Sequence, residues 1–239
     1  MQLTPGLHRV GSDIVAFHLI ETPAGITMID AGLPGHMPDL RAELGAMGRS
    51  ISDIRGVVLT HGDSDHIGIA ERLRSDHGIP VYVHSADAAR ARGEVTAHAP
   101  GGPKRLGAVL GFAAYALRKG GVKTKHLTAV VEMNDGETLA LPGSPQIIGL
   151  PGHSPGSVAV FMPTVDTVFV GDALTTRNVL TGVTGLQPAP FTDDPAEALR
   201  SLDALSSIGA HRIVPGHGPA WSGSIVDAVQ QIRTAAAQR

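Results

Sequence analysis

The stretch Thr60 to Gly68 reads THGDSDHIG and places two histidines and two aspartates within six residues. An apolar run, residues 56–59, precedes it and predicts a buried strand, so the polar side chains follow the C-terminal end of that strand. Packing does not explain them, because carboxylates this close together repel each other unless a cation or a proton separates them. The stretch therefore predicts a metal site built from His61, Asp63, Asp65 and His66.

Three further side chains of the metal-ligating types follow other apolar runs. His153, Asp172 and His217 each come directly after a short stretch that predicts a strand. Glycines beside each of them permit tight turns and a close approach of the backbone to a bound group. A lone histidine or aspartate at a strand end is more often structural than functional, but the joint occurrence favours a metal centre.

On these residues the chain resembles the metallo-β-lactamase-fold superfamily, and in particular its glyoxalase-II-like and lactonase-like metallohydrolases. The resemblance covers nearly the whole chain. The five motifs of the superfamily occur in order: Asp30 in TMIDAG, His61 to His66 in THGDSDH, His153 in PGHSPGS, Asp172 in VGDAL and His217 in PGHGP. The resemblance implies an α/β protein with the αββα two-sheet sandwich of this fold.

The same resemblance distributes the ligands over two metal sites: His61, Asp63 and His153 in the first, Asp65, His66 and His217 in the second, and Asp172 as a bridge. Asp30 would orient a turn or a ligand rather than bind metal itself. Two Zn²⁺ ions are the expected cofactors, with iron or manganese as alternatives.

Asp63 departs from the pattern of the family, which usually reads HxHxDH with a second histidine at this position. An aspartate is a harder, anionic ligand, so it adds negative charge and shifts the preference away from metals that favour imidazole. The flavodiiron oxidoreductases of the superfamily also have a carboxylate here, but they carry a flavin domain that this sequence does not show. Alternatively, Asp63 points away from the first metal and leaves a mononuclear site.

Length and composition are typical of one compact enzyme domain over residues 1–239. The net charge of −3 gives no electrostatic footprint for nucleic acid, and the absence of cysteine excludes thiolate ligands and disulfides. No leader is legible, and no apolar run approaches the ~20 residues of a membrane span. A cytoplasmic protein with a small-molecule substrate is expected, and its oligomeric state stays open.

Hydrophobic periodicity predicts the order of the elements. They are short strands at 7–10, 14–20, 25–30 and 80–83, helices at 36–48 and from about His66 to Asp76, a second run of strands over 126–170, and late helices around 199–205 and 225–232. Two runs of strands with helices after each fit two sheets flanked by helices.

Residues 86–125 interrupt this pattern as a helical insertion. The resemblance implies that such an insertion covers the metal cleft. Its apolar run 106–117 predicts a helix that lines a substrate pocket with Leu110, Phe112, Tyr115 and Leu117. The alternative is a surface helix that packs on the core.

The loop 173–191 is a second candidate for substrate specificity, because its Arg177 could pair with an anionic group. A solvated arginine is equally compatible with the sequence. The remaining histidines have no motif context that favours metal binding: His8, His18, His36, His77, His84, His98, His126 and His211.

Two cations that share a water lower its pKa from about 15.7 towards neutrality, so a metal-bridged hydroxide is available without a separate base. Asp65 is the expected catalytic residue, which orients this nucleophile and moves its proton to the leaving group. The predicted function is a metal-dependent hydrolase of small ester-like substrates, meaning thioesters, lactones or carboxylic esters. The alternatives are a phosphodiesterase, an iron-dependent redox enzyme and a non-catalytic ligand binder of the same fold.

Overall fold

Residues 1–95 and 103–237 are described by the computed structural model, so His98 and the turn around Pro100 lie outside the described residues. The first sheet consists of seven strands in the order of the chain: β1 (Gln2–Thr4), β2 (Leu7–Gly11), β3 (Ala16–Thr22), β4 (Gly25–Ile29), β5 (Ile54–Val58), β6 (Val81–His84) and β7 (Val131–Met133). Strands β1 to β4 are antiparallel, whereas β4 to β7 run parallel.

A second sheet and a short strand pair follow. Their strands are β8 (Gln146–Gly149), β9 (Val158–Met162), β10 (Thr167–Gly171), β11 (Thr175–Arg177), β12 (Thr184–Gln187), β13 (Arg212–Pro215) and β14 (Trp221–Ser222). The sheet has the order β14-β13-β10-β9-β8, and β11 pairs with β12 as an antiparallel hairpin. Because β9 is antiparallel to β8 and β10, and β10 is parallel to β13, the strands β8, β10 and β13 point the same way.

Six α-helices lie within the ranges 1–95 and 103–237: α1 (Met37–Ala46), α2 (Ala70–His77), α3 (Ala88–Ala91), α4 (Leu106–Arg118), α5 (Pro195–Ser201) and α6 (Ile225–Ala237). Helix α5 begins where the sequence places a start signal, because the Asp194 side chain accepts the backbone N–H of Glu197 and a proline follows the cap. Helix α2 ends at Gly78, whose φ of 68° lies in the left-handed region. No helix in these ranges combines the length and apolarity that a membrane crossing requires.

Side chains alternate between the two faces of each strand, so each sheet has apolar residues on both faces. The core therefore has three main apolar layers, one between the two sheets and one between each sheet and its helices. Ile26 and Met28 of β4 pack towards α1 and α2, whereas Ile29 packs between the two sheets. On β9, Val160 lies between the sheets and Ala159 packs towards α6. Helices therefore cover the outer face of each sheet, and the two sheets pack against each other. This is an αββα two-sheet sandwich, which confirms the predicted α/β fold class.

The predicted start of the second helix at His66 is wrong, since α2 begins only at Ala70. The backbone between them pairs instead with the loop after β4. The N–H of Ala31 donates to the carbonyl of His66 at 2.6 Å, and the N–H of Gly68 donates to the carbonyl of Gly32 at 2.7 Å. These long-range bonds replace the first turn of the expected helix and hold the THGDSDH turn against the end of β4.

Strand β7 was expected in the second run of strands, but it pairs with β6 in the first sheet. The segment between β6 and β7, which contains α3 and α4, is therefore a crossover within the first sheet. Parallel strands need such a connection of a dozen or more residues. The crossover carries α4 over the edge of the sandwich where β4, β5, β8, β10 and β13 end.

Candidate metal centre

All seven predicted ligands come together at this edge of the sandwich. Potential ligand atoms lie within 4.8 Å of one another in three groups: His61, Asp63 and His153; Asp65, His66 and His217; and His61, His66 and Asp172. The first two groups have the membership of the two sites that the resemblance implies, and the third shares one histidine with each. Metal binding by these groups remains a prediction.

Each of the four histidines is held in place through its Nδ1 atom. These atoms lie next to Oδ2 of Asp30 for His66 (2.9 Å), Oγ1 of Thr60 for His61 (3.0 Å), Oγ1 of Thr192 for His153 (3.4 Å) and the carbonyl oxygen of Ile14 for His217. A carboxylate or a carbonyl can only accept, so Nδ1 is the donor in His66 and His217. In this tautomer Nε2 presents its lone pair to the centre, as in metal-binding histidines generally.

Within each group, the distance between the potential ligand atoms matches the distance between two ligands of one metal ion. Nε2 of His153 lies 3.3 Å from Oδ2 of Asp63, and Nε2 of His217 lies 3.4 Å from Oδ2 of Asp65. Ligands at ~2.1 Å from a tetrahedral zinc ion are about 3.4 Å apart. The two groups are therefore already close to the geometry that a first-row metal ion requires.

Asp172 lies between the two groups. Its Oδ1 is 3.5 Å from Nε2 of His66, and its Oδ2 is 3.1 Å from Nε2 of His217 and 3.9 Å from Nε2 of His153. Because each oxygen of the carboxylate faces imidazole nitrogens, Asp172 can serve both groups at once. Gly216 permits this approach, since a Cβ there would lie 2.8 Å from Oδ1 of Asp172.

Buried atoms without partners mark the middle of the centre. Nε2 of His61, Nε2 of His66 and Oδ1 of Asp172 are buried and make no hydrogen bond with any part of the chain that the structure describes. Leaving a buried polar atom unpaired costs about 1–3 kcal/mol. Coordination to a cation removes this cost for all three atoms, so the residues present fit a divalent metal.

The ionisable groups of the centre perturb one another strongly. Burial lowers the pKa of His61 well below its ordinary value, and the charge of His66 acts in the same direction. Burial also acts to lower the pKa of His66, but the carboxylates of Asp30, Asp65 and Asp172 together outweigh it and raise this pKa to about 10. In His217 burial again acts to lower the pKa, but the carboxylates of Asp172 and Asp65 together outweigh it and raise the pKa to about 9. Metal binding must therefore displace protons at neutral pH, so affinity rises with pH.

Asp30 lies behind the ligands and does not face the centre. Its φ of 61° is unusual for a residue other than glycine and turns the chain sharply at the end of β4. Its carboxylate accepts the N–H of Thr60 at 2.8 Å, the hydroxyl of Thr60 and Nδ1–H of His66. Asp30 thus occupies the orienting position that was expected for it.

Sequence reasoning missed Asp87, which joins two of the ligand-bearing loops. Its fully buried carboxylate accepts the N–H of Gly62 at 2.8 Å, the hydroxyl of Ser154 at 2.7 Å and the N–H of Gly156 at 2.7 Å. Asp87 follows strand β6 just as the ligands follow their strands. The strand-end rule, applied to β6, is the signal that could have found it.

Sequence reasoning also missed Arg90. Its Nε donates to Oδ1 of Asp63 at 2.5 Å and its Nη2 donates to Oδ2 of Asp63 at 3.1 Å. Asp63 nevertheless keeps Oδ2 close to His153, so the structure differs from the alternative in which Asp63 points away. No motif in the sequence links Arg90 to the THGDSDH turn, because α3 reaches this turn only through the tertiary fold.

A cavity of about 500 Å³ opens over the centre. Its floor is polar and includes Asp63, Asp65, His153, Asp172 and His217. Its walls are largely apolar and come from both sides of the opening: Phe112, Ala116 and Leu117 of α4, Val122 after it, and Val179 and Phe191 of the loop opposite.

Helix α4 lines this cavity with only part of the predicted face. Phe112 and Leu117 are wall residues, but Leu110 is exposed on the outside of the helix. Tyr115 is buried and turns the other way, where its hydroxyl meets Nε2 of His36 at 2.8 Å. Arg177 does not line the cavity, so of the two roles that the sequence left open the structure gives no support to pairing with an anionic substrate.

Residues 10–217 match the family model of the metallo-beta-lactamase superfamily. This match spans most of the chain, and the ligands described above lie inside it. The chain belongs to the metallo-beta-lactamase superfamily. It is a metal-dependent hydrolase in the general sense of that family, with a divalent metal as its cofactor.

Individual relatives agree with this placement. The probable metallo-hydrolase YflN of Bacillus subtilis is 27% identical over 230 residues, which cover 91% of this chain and 86% of YflN. The metallo-beta-lactamase family protein TTHA1429 from Thermus thermophilus has a TM-score of 0.71 at 20% identity, over 99% of this chain and 81% of that one. The protein TTHA1623, solved in a di-iron-bound form, has a TM-score of 0.60 at 30% identity, over 90% of this chain and 93% of that one.

Proposed function

We propose that this protein is a binuclear metallohydrolase that cleaves small ester-like substrates with an apolar acyl group, meaning carboxylic esters, thioesters or lactones. The observation that carries the proposal is the position of seven convergent ligands on the floor of a cavity with apolar walls. The convergence supports two metal ions, and the walls support an apolar substrate.

The proposed ligand set follows the groups in the structure: His61, Asp63 and His153 for the first ion, Asp65, His66 and His217 for the second, and Asp172 between them. When bound, the metal ions supply a water of lowered pKa and polarise the carbonyl oxygen of the substrate. Two Zn²⁺ ions are proposed. Iron is the alternative, because TTHA1623 was solved in a di-iron-bound form.

Asp65 is the proposed proton carrier. Its carboxylate borders the cavity, and its Oδ2 lies 3.4 Å from Nε2 of His217. A carboxylate in this position takes a proton from the attacking water and passes it to the oxygen or sulfur that leaves. Ester and water then yield a carboxylic acid and an alcohol or thiol, with every proton accounted for.

The walls of the cavity favour a neutral substrate over an anionic one. Phe112, Leu117 and Phe191 exclude water from the acyl group and bury it. Among the described lining residues Arg90 is the only lysine or arginine, and it is already paired with Asp63 and Asp193. The carboxylate of a β-lactam or the negative charge of a phosphodiester therefore meets no free lysine or arginine among these described lining residues.

The test combines elemental analysis with a substrate panel. Metal-replete protein should hold close to two ions per chain, and zinc or iron content separates the two metal proposals. The panel contains p-nitrophenyl butyrate and octanoate, an acyl thioester, a γ-lactone, nitrocefin and bis(p-nitrophenyl) phosphate. We expect kcat/KM for the ester-like substrates to exceed the phosphodiester value at least ~100-fold, which is ~2.7 kcal/mol of activation free energy.

Protein stripped of metal serves as the control, and re-addition of the ion should restore turnover. A kcat/KM that is highest for the phosphodiester, or a metal content below about half an ion per chain, contradicts the proposal.

A further inference from the structure

Arg90 makes three hydrogen bonds to carboxylates beside the proposed metal centre. Its side chain is 5% exposed, and its guanidinium donates two parallel bonds to Asp63, from Nε to Oδ1 at 2.5 Å and from Nη2 to Oδ2 at 3.1 Å. A third bond runs from Nη1 to Oδ2 of Asp193 at 2.7 Å. A two-pronged pair of this kind fixes both the position and the rotation of the carboxylate.

The rotation matters because Asp63 has two neighbours. Oδ2 of Asp63 faces Nε2 of His153 at 3.3 Å and Nε2 of His61 at 3.7 Å, inside the first ligand group. Arg90 therefore holds the carboxylate with one oxygen in the centre. Asp193 extends this support, because its backbone N–H donates to the carbonyl oxygen of His153 at 3.1 Å. One guanidinium thus braces two of the three residues in the first group.

The charges add a second argument. The usual residue at position 63 in this superfamily is a histidine, which is neutral as a ligand. Asp63 by itself would add one negative charge to a centre that already contains Asp65 and Asp172. Arg90 supplies the opposite charge at hydrogen-bond distance and in a buried position, where screening by solvent is weak.

We propose that Asp63 and Arg90 act as one charge-neutral ligand unit that takes the place of an imidazole, with Arg90 as the positioning residue of the first metal site. The proposal rests on the binuclear centre proposed above. It replaces the expectation that Asp63 makes the first site more anionic than in its relatives. A metal in this site is instead expected to experience the net charge of a site with a histidine at position 63.

The test is a double-mutant cycle with metal affinity as the readout. Zinc binding by each site is measured by chelator competition for wild type, Arg90→Gln, Asp63→His and the double variant. Arg90→Gln should weaken the first site 10- to 100-fold, the range for residues that orient a ligand, and leave the second site unchanged. Asp63→His alone should also weaken it, because it leaves the buried guanidinium facing an imidazole.

The double variant should bind zinc more tightly than either single variant, because the neutral ligand then no longer faces a cation. Arg90→Lys keeps the charge but loses the two-pronged geometry, so its affinity should lie between those of wild type and Arg90→Gln. Arg92→Gln is the matched control, since Arg92 lies two positions further along, is 30% exposed against 5% for Arg90, and pairs only with Glu94 among the described carboxylates.

Additive effects in the cycle, or wild-type affinity of the first site in Arg90→Gln, overturn the proposal. If Arg90→Gln does not fold, the proposal is overturned by a folded Arg90→Lys whose first site binds zinc with wild-type affinity. A wild-type protein without metal overturns the binuclear centre itself, so the two failures are distinct.

A second observation concerns the exposed apolar side chains on α4 and just beyond it. Leu106, Leu110 and Leu117 are 75%, 59% and 63% exposed, and their spacing places them on one face of the helix. Val122, just beyond the helix, is 79% exposed. Monomeric proteins rarely expose such a contiguous run of large apolar side chains without a partner. We call these four residues the α4 surface.

The segment that carries the α4 surface is rich in basic residues, of which Lys119 is paired with Asp39. Residues 95–131 contain six lysines and arginines and no aspartate or glutamate: Lys104, Arg105, Arg118, Lys119, Lys123 and Lys125. The net charge of the whole chain is −3, so the remaining residues carry −9. Lys104 and Arg105 precede the first turn of α4, where the helix dipole disfavours cations. Helix stability therefore does not explain their position.

We infer that the α4 surface binds an anionic phospholipid bilayer. Apolar side chains flanked by cations are the pattern of helices that lie in a membrane interface. Leu117 and Val122 belong to the α4 surface and also line the cavity, so the cavity opens beside the inferred contact. An apolar ester dissolved in the bilayer would then reach the metal centre without crossing water.

Vesicle sedimentation tests this inference. The protein should bind vesicles of phosphatidylcholine with 30% phosphatidylglycerol, bind pure phosphatidylcholine at least ~10-fold more weakly, and lose binding as salt rises. Leu106→Glu/Leu110→Glu should reduce binding at least ~10-fold while metal content stays unchanged. Val226→Glu on α6 is the matched control, because Val226 is 56% exposed and remote in sequence from the α4 surface.

Equal binding to neutral and anionic vesicles, or no vesicle binding by the wild type, overturns the inference. A dimer in solution that Leu106→Glu/Leu110→Glu converts to a monomer, together with absent vesicle binding, would assign the α4 surface to a second copy of the chain instead.

Discussion

Nε2 of His36 lies 2.8 Å from the hydroxyl oxygen of Tyr115, and this buried hydrogen bond fastens α4 to the segment between β4 and α1. Nδ1 of the same ring accepts the N–H of Leu33 at 2.9 Å, so Nε2 carries the proton and donates it to Tyr115. One side of α4 is therefore anchored while Phe112 and Leu117 on the same helix line the cavity. Substitutions that break this hydrogen bond should therefore alter substrate binding and leave metal binding unchanged.

Tyr115→Phe tests the anchor. It leaves the buried Nε2–H of His36 without a partner, which should lower the free energy of unfolding by about 1–3 kcal/mol. Amide exchange over residues 104–120 should accelerate and KM should rise, while metal content stays at the wild-type value. Tyr82→Phe is the control, because no hydrogen bond of the Tyr82 hydroxyl occurs among residues 1–95 and 103–237. Loss of metal in Tyr115→Phe would show that α4 supports the centre itself.

The anchor should also weaken in acid. Burial, with the nearby charge of Lys119, lowers the pKa of His36 from 6.5 to about 4. As pH falls, His36 is therefore protonated in the unfolded chain at a higher pH than in the folded protein. The contribution of His36 to the free energy of unfolding is complete above pH 6.5 and is lost as pH falls towards 4. The free-energy difference between wild type and His36→Gln, measured by urea unfolding, should be constant above pH 6.5. Below it, the difference should shrink by up to ~1.4 kcal/mol per pH unit. If the free-energy difference between wild type and His36→Gln grew as pH fell, the buried His36 would not be neutral in the folded protein.

Removal of one histidine from each ligand group should separate the two metal sites. His153→Ala should remove the first ion and His217→Ala the second, each with a loss of at least ~100-fold in kcat because both ions are needed for turnover. Elemental analysis should return about one ion per chain for each variant. His77→Ala on the exposed end of α2 should retain both ions and full turnover. Equal damage from His77→Ala would show that the ligand assignment is wrong.

Asp65→Asn should separate proton transfer from metal binding. The amide keeps one oxygen as a ligand but cannot accept the proton of the nucleophile, so kcat should fall ~10²- to 10⁴-fold. Metal content should fall less than in His217→Ala, since His66 and His217 remain in the second group. Substrates with a better leaving group should lose less activity, because their departure needs no proton. A uniform loss across leaving groups would argue that Asp65 acts as a ligand alone.

The fold class and the set of converging side chains could be read from the sequence. Strand alternation, helical spacing and polar residues after apolar runs are local properties, and they need no knowledge of which element packs on which. These properties fit the αββα arrangement that the resemblance implies and the structure confirms, and the predicted helix over 106–117 is observed as Leu106–Arg118. The role of the seven ligands remains a prediction, although the fold brings their atoms together.

The pairing of Asp63 with Arg90, in contrast, depends on the tertiary fold. Periodicity places Arg90 on a short helix, but it does not say that this helix meets a turn that precedes it by 27 residues. The same holds for Asp87 between two ligand loops, for Tyr115 turned towards His36, and for the late start of α2, which long-range backbone bonds delay. Each of these features depends on a contact between segments that are distant along the chain. A sequence pattern states which side chains share a face of an element, whereas packing alone determines which partner that face meets.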